Sequence, residues 1–231
     1  MTIALLPDAV RIQAPDQSGP LVPTTLAIVA GFVDSCTFLA FDGFFVAQAT
    51  GSYVLAGAGL WVPSSFSVLK VASIPVFMAA SMATTFAVRA LGGSRARSLA
   101  ATLLLEAMLM AMLMLLGEKG AAATWVCLFG LAAMGVHGAL CRLLIRDYGS
   151  TNVMTTNTVQ FSIDLADSLL ARQLEPRLLR SGRIMLGFLA GVVGGALAFS
   201  SVGFLCLLAP ILALAVMAAG AARRAAADRV R

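Results

Sequence analysis

Apolar residues run through this chain in blocks too long for buried strands and too continuous for the one-sided stripe of a soluble helix. Six such blocks, at 22–41, 67–89, 98–117, 121–141, 183–200 and 202–220, are interrupted by few polar residues. A bilayer core about 30 Å thick takes about 20 helical residues to cross, so each block predicts one transmembrane helix. Two segments between them, 43–60 and 148–171, are shorter or more polar and predict broken or re-entrant pieces. The expected fold is an all-α membrane protein with about six transmembrane helices, or seven if 43–60 spans.

The polar interruptions recur. Gly31-Phe32-Val33-Asp34 is followed by Ala49-Thr50-Gly51-Ser52, and about half a chain later Gly135-Val136-His137-Gly138 is followed by Met154-Thr155-Thr156-Asn157. A glycine-led apolar helix running twice into a polar break is the pattern of an internal repeat, with a binding site expected between the copies. The reading divides the chain into a tail at 1–21, membrane repeats at 22–117 and 121–220, and a basic tail at 221–231.

Composition agrees: 60% of the 231 residues are hydrophobic and 12% are charged, too little polar surface to cover a soluble globule. The net charge of +5 would suit nucleic acid, but the arginines cluster at helix ends, where they encode topology. Placing Arg89, Arg95 and Arg97, the group from Arg172 to Arg183, and Arg223, Arg224, Arg229 and Arg231 in the cytoplasm makes 98–117 run outward. Segment 121–141 then returns to Arg142 and Arg146, and 148–171 begins and ends inside. Applied backward, the rule leaves Lys70 and Lys119 outside. Arg11 alone sets the first helix running outward, with both termini cytoplasmic. Six helices then divide into two three-helix repeats of inverted orientation, each with one non-spanning polar segment. The first twenty residues lack the basic start and continuous apolar run of a cleavable signal peptide.

At these motifs the chain resembles the YoaK-like family of bacterial inner-membrane proteins, a family of undefined function. Its members carry a Gly-aromatic-x-Asp stretch, a Thr-Gly-Asn turn, a Gly-x-Gln-Asn stretch and a second Thr-Gly-Asn turn, in that order. Here Ser52 replaces the first asparagine, His137-Gly138 replaces Gln-Asn, and Thr156 replaces the second glycine. The resemblance covers about 24–220 and implies the architecture, the bacterial inner membrane and the candidate positions, with no activity to carry over.

Several side chains have no business in hydrocarbon unless paired, hydrated or neutralised. Asp34 reads either as a proton or cation site or as a structural hydrogen bond to a neighbouring helix or hairpin backbone. Glu106, among leucines and methionines with no basic residue in its own helix, reads equally as a protonatable coupling group or a neutral bonded acid. His137, the only histidine, suits a proton relay or a neutral hydrogen bond. The triplets Thr50-Gly51-Ser52 and Thr155-Thr156-Asn157, helped by Gln48 and Gln160, are candidate solute-binding elements. A helix restarting at Ser52 or Asn157 would aim exposed amides inward, favouring an anion or polar solute; the alternative is that they only cap a kinked helix.

Other features read as structural. Gly187, Gly191 and Gly195 form a small-residue face for close helix packing within the protomer or at a homodimer seam. The four cysteines show no metal-ligand spacing and read as buried thiols. Asp164 and Asp167 are expected on the solvated face of an amphipathic helix, near Arg172, Arg177 or anionic headgroups. The sequence thus points to a secondary transporter or permease for a small polar or anionic solute in the lipid bilayer, with proton coupling as an option. The second reading is a non-transporting scaffold or sensor. No enzyme chemistry, cofactor, metal or nucleic-acid partner is expected.

Overall fold

The computed structural model describes residues 21–59, 61, 68–91, 94–145, 154–174 and 176–228. Arg11 with the N-terminal tail, Arg146, residues 148–153 and the last two arginines, Arg229 and Arg231, lie outside the described residues. The described chain is helical: α1 (Leu21–Ala40), α2 (Ala49–Gly59), α3 (Val68–Ala90), α4 (Arg95–Glu118), α5 (Ala123–Leu144), α6 (Met154–Ala171), α7 (Pro176–Val202) and α8 (Leu208–Ala227). A short 3-10 turn, Gly203–Leu207, joins the last two.

Among the described residues five stretches are long and apolar enough to cross a membrane, and the last of them, Pro176–Ala227, spans 52 residues. It is folded back on itself. Gly203, at φ +60°, breaks α7 in a conformation that side chains with a Cβ rarely adopt. Phe204 then packs against Gly117 near the end of α4, and the Leu205 amide donates to Glu118 Oε1 at 3.0 Å. Because α4 ends there, the extensive packing of α8 on α4 requires α8 to run back along it. The protein is an all-α membrane protein whose long helices are α1, α3, α4, α5, α7 and α8.

Their directions follow from single contacts. Arg95, in the first turn of α4, donates to the Leu144 carbonyl at the end of α5, so these two run antiparallel. Thr24 meets Gly187, Ile28 meets Gly191 and Phe32 meets Gly195, so α1 and α7 run parallel. Thus α1, α4 and α7 rise toward the end that holds Glu118, while α3, α5 and α8 descend. The end they leave carries Arg89, Arg95, Arg97, Arg142, Arg177, Arg180, Arg183, Arg223 and Arg224. At the opposite end sit Asp42, Lys119 and both tryptophans, Trp61 at 87% and Trp125 at 60% exposure, as an interfacial aromatic anchor should. The arginines 223 and 224 stand on the closing turns of α8, which continues to Ala227.

Packing repeats between the halves. The α1–α7 pair has its counterpart in α5–α3, α2 lies on α3 as α6 lies on α7, and α4 meets α8. The exception is α4–α5, whose counterpart, α8 with α1, touches only lightly. Glycine makes the closest pairs possible. A Cβ at Gly195 would sit 2.6 Å from the Phe32 carbonyl oxygen, and one at Gly135 would sit 2.6 Å from that of Phe77; backbone cannot retreat that far. Gly31 and Gly191 likewise abut the carbonyls of Phe188 and Ile28. The Gly187-Gly191-Gly195 face is thus occupied within the protomer by α1.

The methionines of α4 divide between interior and surface. Met110 and Met114 are buried, while Met108 and Met112 are exposed at 60% and 40%. Pro75 lies inside α3, whose freed carbonyl a hydroxyl-bearing neighbour or water can satisfy in a membrane helix.

Candidate functional site

Depth in the bundle decides which polar side chains matter. After α1 ends, residues 41–48 do not continue upward: the Val46 and Ala47 amides donate to Asp34 Oδ1 at 3.0 and 2.7 Å. Asp34 lies six residues before the end of α1, so the chain has dipped back by about 9 Å at 1.5 Å per residue. Val46 also comes against Gly130, seven residues inside α5. From this depth α2 runs outward again, and its 11 residues, about 16 Å of helix, are too few to span. Asp34 therefore performs the hydrogen bonding to hairpin backbone that its position allowed, with Gln48 also bonding its carboxyl. Its second oxygen, Oδ2, is buried without a hydrogen-bond partner.

The helix starts correct an expectation. α2 begins at Ala49 and α6 at Met154, not at Ser52 and Asn157, so both triplets lie within opening turns. The carboxylate of Asp34, on another helix, serves the entry to α2 in place of a local hydroxyl cap. Thr50 is exposed, Gly51 half-buried and Ser52 buried, its hydroxyl without a partner.

In the second half, α6 runs antiparallel to α7: Phe161 packs on Gly182 and Asp164 Oδ2 accepts from the Ser181 hydroxyl at 2.7 Å. The first turn of α6 therefore lies deeper than its last. Asn157 is buried there, whereas Thr155, Thr156 and Gln160 are exposed. Asp164 is buried too, taking a second hydrogen bond from Gln160 Nε2 at 2.8 Å, and so does not belong to the solvated face expected for it. Asn157, Asp164 and Ser168 share one buried side of α6, a spacing that the sequence displayed but that leucine positions obscured. Among the described residues α2 packs mainly on α3 and α6 mainly on α7. The structure thus places Ser52, whose amide donates to the Gln48 carbonyl, beside the Asp34 hairpin.

At the centre of the bundle stands a pair that neither helix announces. Glu106, in the middle of α4, places Oε1 2.7 Å from Nδ1 of His137 on α5, and both side chains are wholly buried. Either Nδ1–H donates to a carboxylate, or a carboxyl O–H donates to a neutral imidazole; one proton lies in the bond whichever partner owns it. Glu106 Oε2 has no hydrogen-bond partner. The Asp34 carboxyl is close enough to interact electrostatically with His137, and Cys141, one turn on, hydrogen bonds the ring. The interior thus holds the Glu106–His137 bond and the Asp34 hairpin contact, with one carboxyl oxygen of each acid uncommitted.

Such a bundle, holding an acid–imidazole pair at membrane depth beside a re-entrant segment, defines a polytopic α-helical membrane protein with a polar interior. The chain belongs to the family described as Protein of unknown function (DUF1275), whose model matches residues 22–220. That match covers nearly the same stretch as the YoaK-like resemblance and brings no activity with it. No match is found among curated proteins or solved structures.

Proposed function

We propose that this protein is a proton-coupled secondary transporter for a small polar or anionic solute. The observation that carries the reading is the fully buried Glu106–His137 pair with its unsatisfied carboxyl oxygen. An ionisable pair at this depth is costly to hold, and a mobile proton gives the cost a use.

Asp34 supplies the link to solute. Its carboxylate acts as an internal anion on the amides that lead into α2. Protonation of Asp34 weakens that hold and frees amides and a helix N-terminus for a solute anion, so anion and proton travel together. Glu106 and His137 exchange the proton with Asp34. Ser52, Gln48 and Gly51 flank the solute, with Thr50 at the outer edge. Asn157, Thr155, Thr156 and Gln160 form the corresponding element from the other side.

The recurrence of α1–α7 packing in α5–α3, with opposite direction, supports two inverted repeats at 22–117 and 121–220. Alternating access would come from rocking one against the other. The arginine-bearing end faces the cytoplasm of a bacterial inner membrane by the positive-inside rule, which puts both termini inside; a homodimer is compatible with this arrangement. The test is reconstitution into proteoliposomes containing a pH dye, with labelled small anions and polar metabolites outside and an imposed pH gradient. Coupled entry of solute and protons, lost in Glu106→Gln, is expected. Folded protein that moves neither under either gradient polarity would favour the scaffold or sensor reading instead.

A further inference from the structure

A second site lies far from this core, at the arginine-bearing end. There α1 and α7, running parallel, begin side by side and leave a cleft of about 290 Å³ lined by Pro23, Thr24, Pro176, Leu179, Arg180, Arg183 and Ile184. Four features give it one electrostatic sign. Arg180 and Arg183 are three residues apart, so one helix face presents both. The N-termini of two long helices converge on the same space, each contributing the positive end of its dipole. No carboxylate is among the described lining residues. Asp164, on the neighbouring α6, commits its two oxygens to Gln160 and Ser181; Glu175, adjacent in sequence, lies outside the described residues.

The rest of the lining is apolar, and beside it Leu21, Leu174 and Leu179 are exposed at 77%, 77% and 52%. A soluble phosphate would gain nothing from these leucines, whereas a phospholipid uses both parts: phosphate on the guanidinium groups, acyl chains along the leucines. We infer that this cleft is a binding site for the phosphate of an anionic phospholipid in the leaflet at the arginine-bearing end. Basic pockets between transmembrane helices at a membrane surface recognise such headgroups, and guanidinium can engage phosphate oxygens bidentately.

The experiment compares thermal unfolding of purified protein in mild detergent with added phosphatidylglycerol, phosphatidylcholine or glycerol phosphate. Phosphatidylglycerol is expected to raise the midpoint, and the other two are expected not to. The apparent dissociation constant for phosphatidylglycerol should rise about tenfold or more in R180Q/R183Q, much less in R180K/R183K, and remain unchanged in R223Q/R224Q. Should the glutamine variant fail to fold, the wild-type shift must still shrink as salt rises through the range where the Debye length falls below about 8 Å. Equal stabilisation by phosphatidylcholine, an undiminished shift in folded R180Q/R183Q, or a shift that ignores salt overturns the inference. Glycerol phosphate acting as well as the lipid would overturn the lipid assignment.

Discussion

The Glu106–His137 bond makes an asymmetric demand on its two partners. Removing either leaves the other buried without its mate, which in proteins costs about 3–5 kcal/mol, while replacing both by apolar groups is often neutral or stabilising. Glu106→Leu and His137→Leu should therefore each lower the unfolding midpoint sharply, and the double variant should recover most of the loss. An additive double variant would mean that the two groups do not stabilise as a pair. Asp34 poses a second test. Asp34→Asn keeps an oxygen for the Val46 and Ala47 amides, whereas Asp34→Leu strands both, at about 1–3 kcal/mol per buried donor. Limited proteolysis between residues 41 and 59 should accelerate much more in the leucine variant. The ionisable residues were visible individually in the sequence, because an acid inside a leucine run needs an explanation. Their partnership was not: Glu106 and His137 are 31 residues apart, and periodicity carries no information about which helices become neighbours.

The helices themselves were largely legible, since length and hydropathy fix where a chain can cross a bilayer. What composition could not supply was the fine placement of starts. The entry to α2 is governed by Asp34 from another helix, so the opening turn falls before the serine that looked like its cap. Asp164 departs from its pattern for a similar reason: exposed leucines on α6 predict a solvated amphipathic helix, whereas Ser181 of α7 claims the acid. The glycine spacing predicts a packing surface, but only the structure assigns it to α1. That assignment predicts a sharp positional contrast within α7. Gly191→Ala would drive a Cβ into the Ile28 carbonyl, whereas Gly194 has nothing within 4 Å of the added atom. Overpacking of a close seam costs about 1–3 kcal/mol, and Ala at an open helical position gains up to about 1 kcal/mol over Gly. Gly191→Ala should unfold earlier than wild type and Gly194→Ala at the same temperature or later. Comparable losses in both would argue against the α1–α7 seam.

Charge distributed over the molecule determines how the bundle sits in its membrane. In the described residues every arginine lies at or near the end where α1, α4 and α7 begin, and the opposite end offers Lys119 and the two tryptophans. The tendency of arginine to stay on the cytoplasmic side during insertion supports the proposed direction of all six long helices, and three separate clusters agree on it. The four native cysteines are buried, so a surface cysteine can be read against a low background of labelling. A membrane-impermeant maleimide applied to intact cells should modify Lys119→Cys and Gly57→Cys, the latter exposed on α2. It should reach Arg177→Cys and Arg223→Cys only after the membrane is opened. A further cysteine at Asp42, exposed in the turn after α1, carries the most weight and should also be modified in intact cells, because this position separates a re-entrant α2 from a seventh spanning helix. If α2 crossed while α3 kept its direction, Asp42→Cys would be sealed from the outside together with Arg177, and α1 would have to reverse against the parallel α7 that its glycines grip. Labelling of Arg177→Cys in sealed cells would reverse the whole bundle, and with it the side from which the Asp34 hairpin opens.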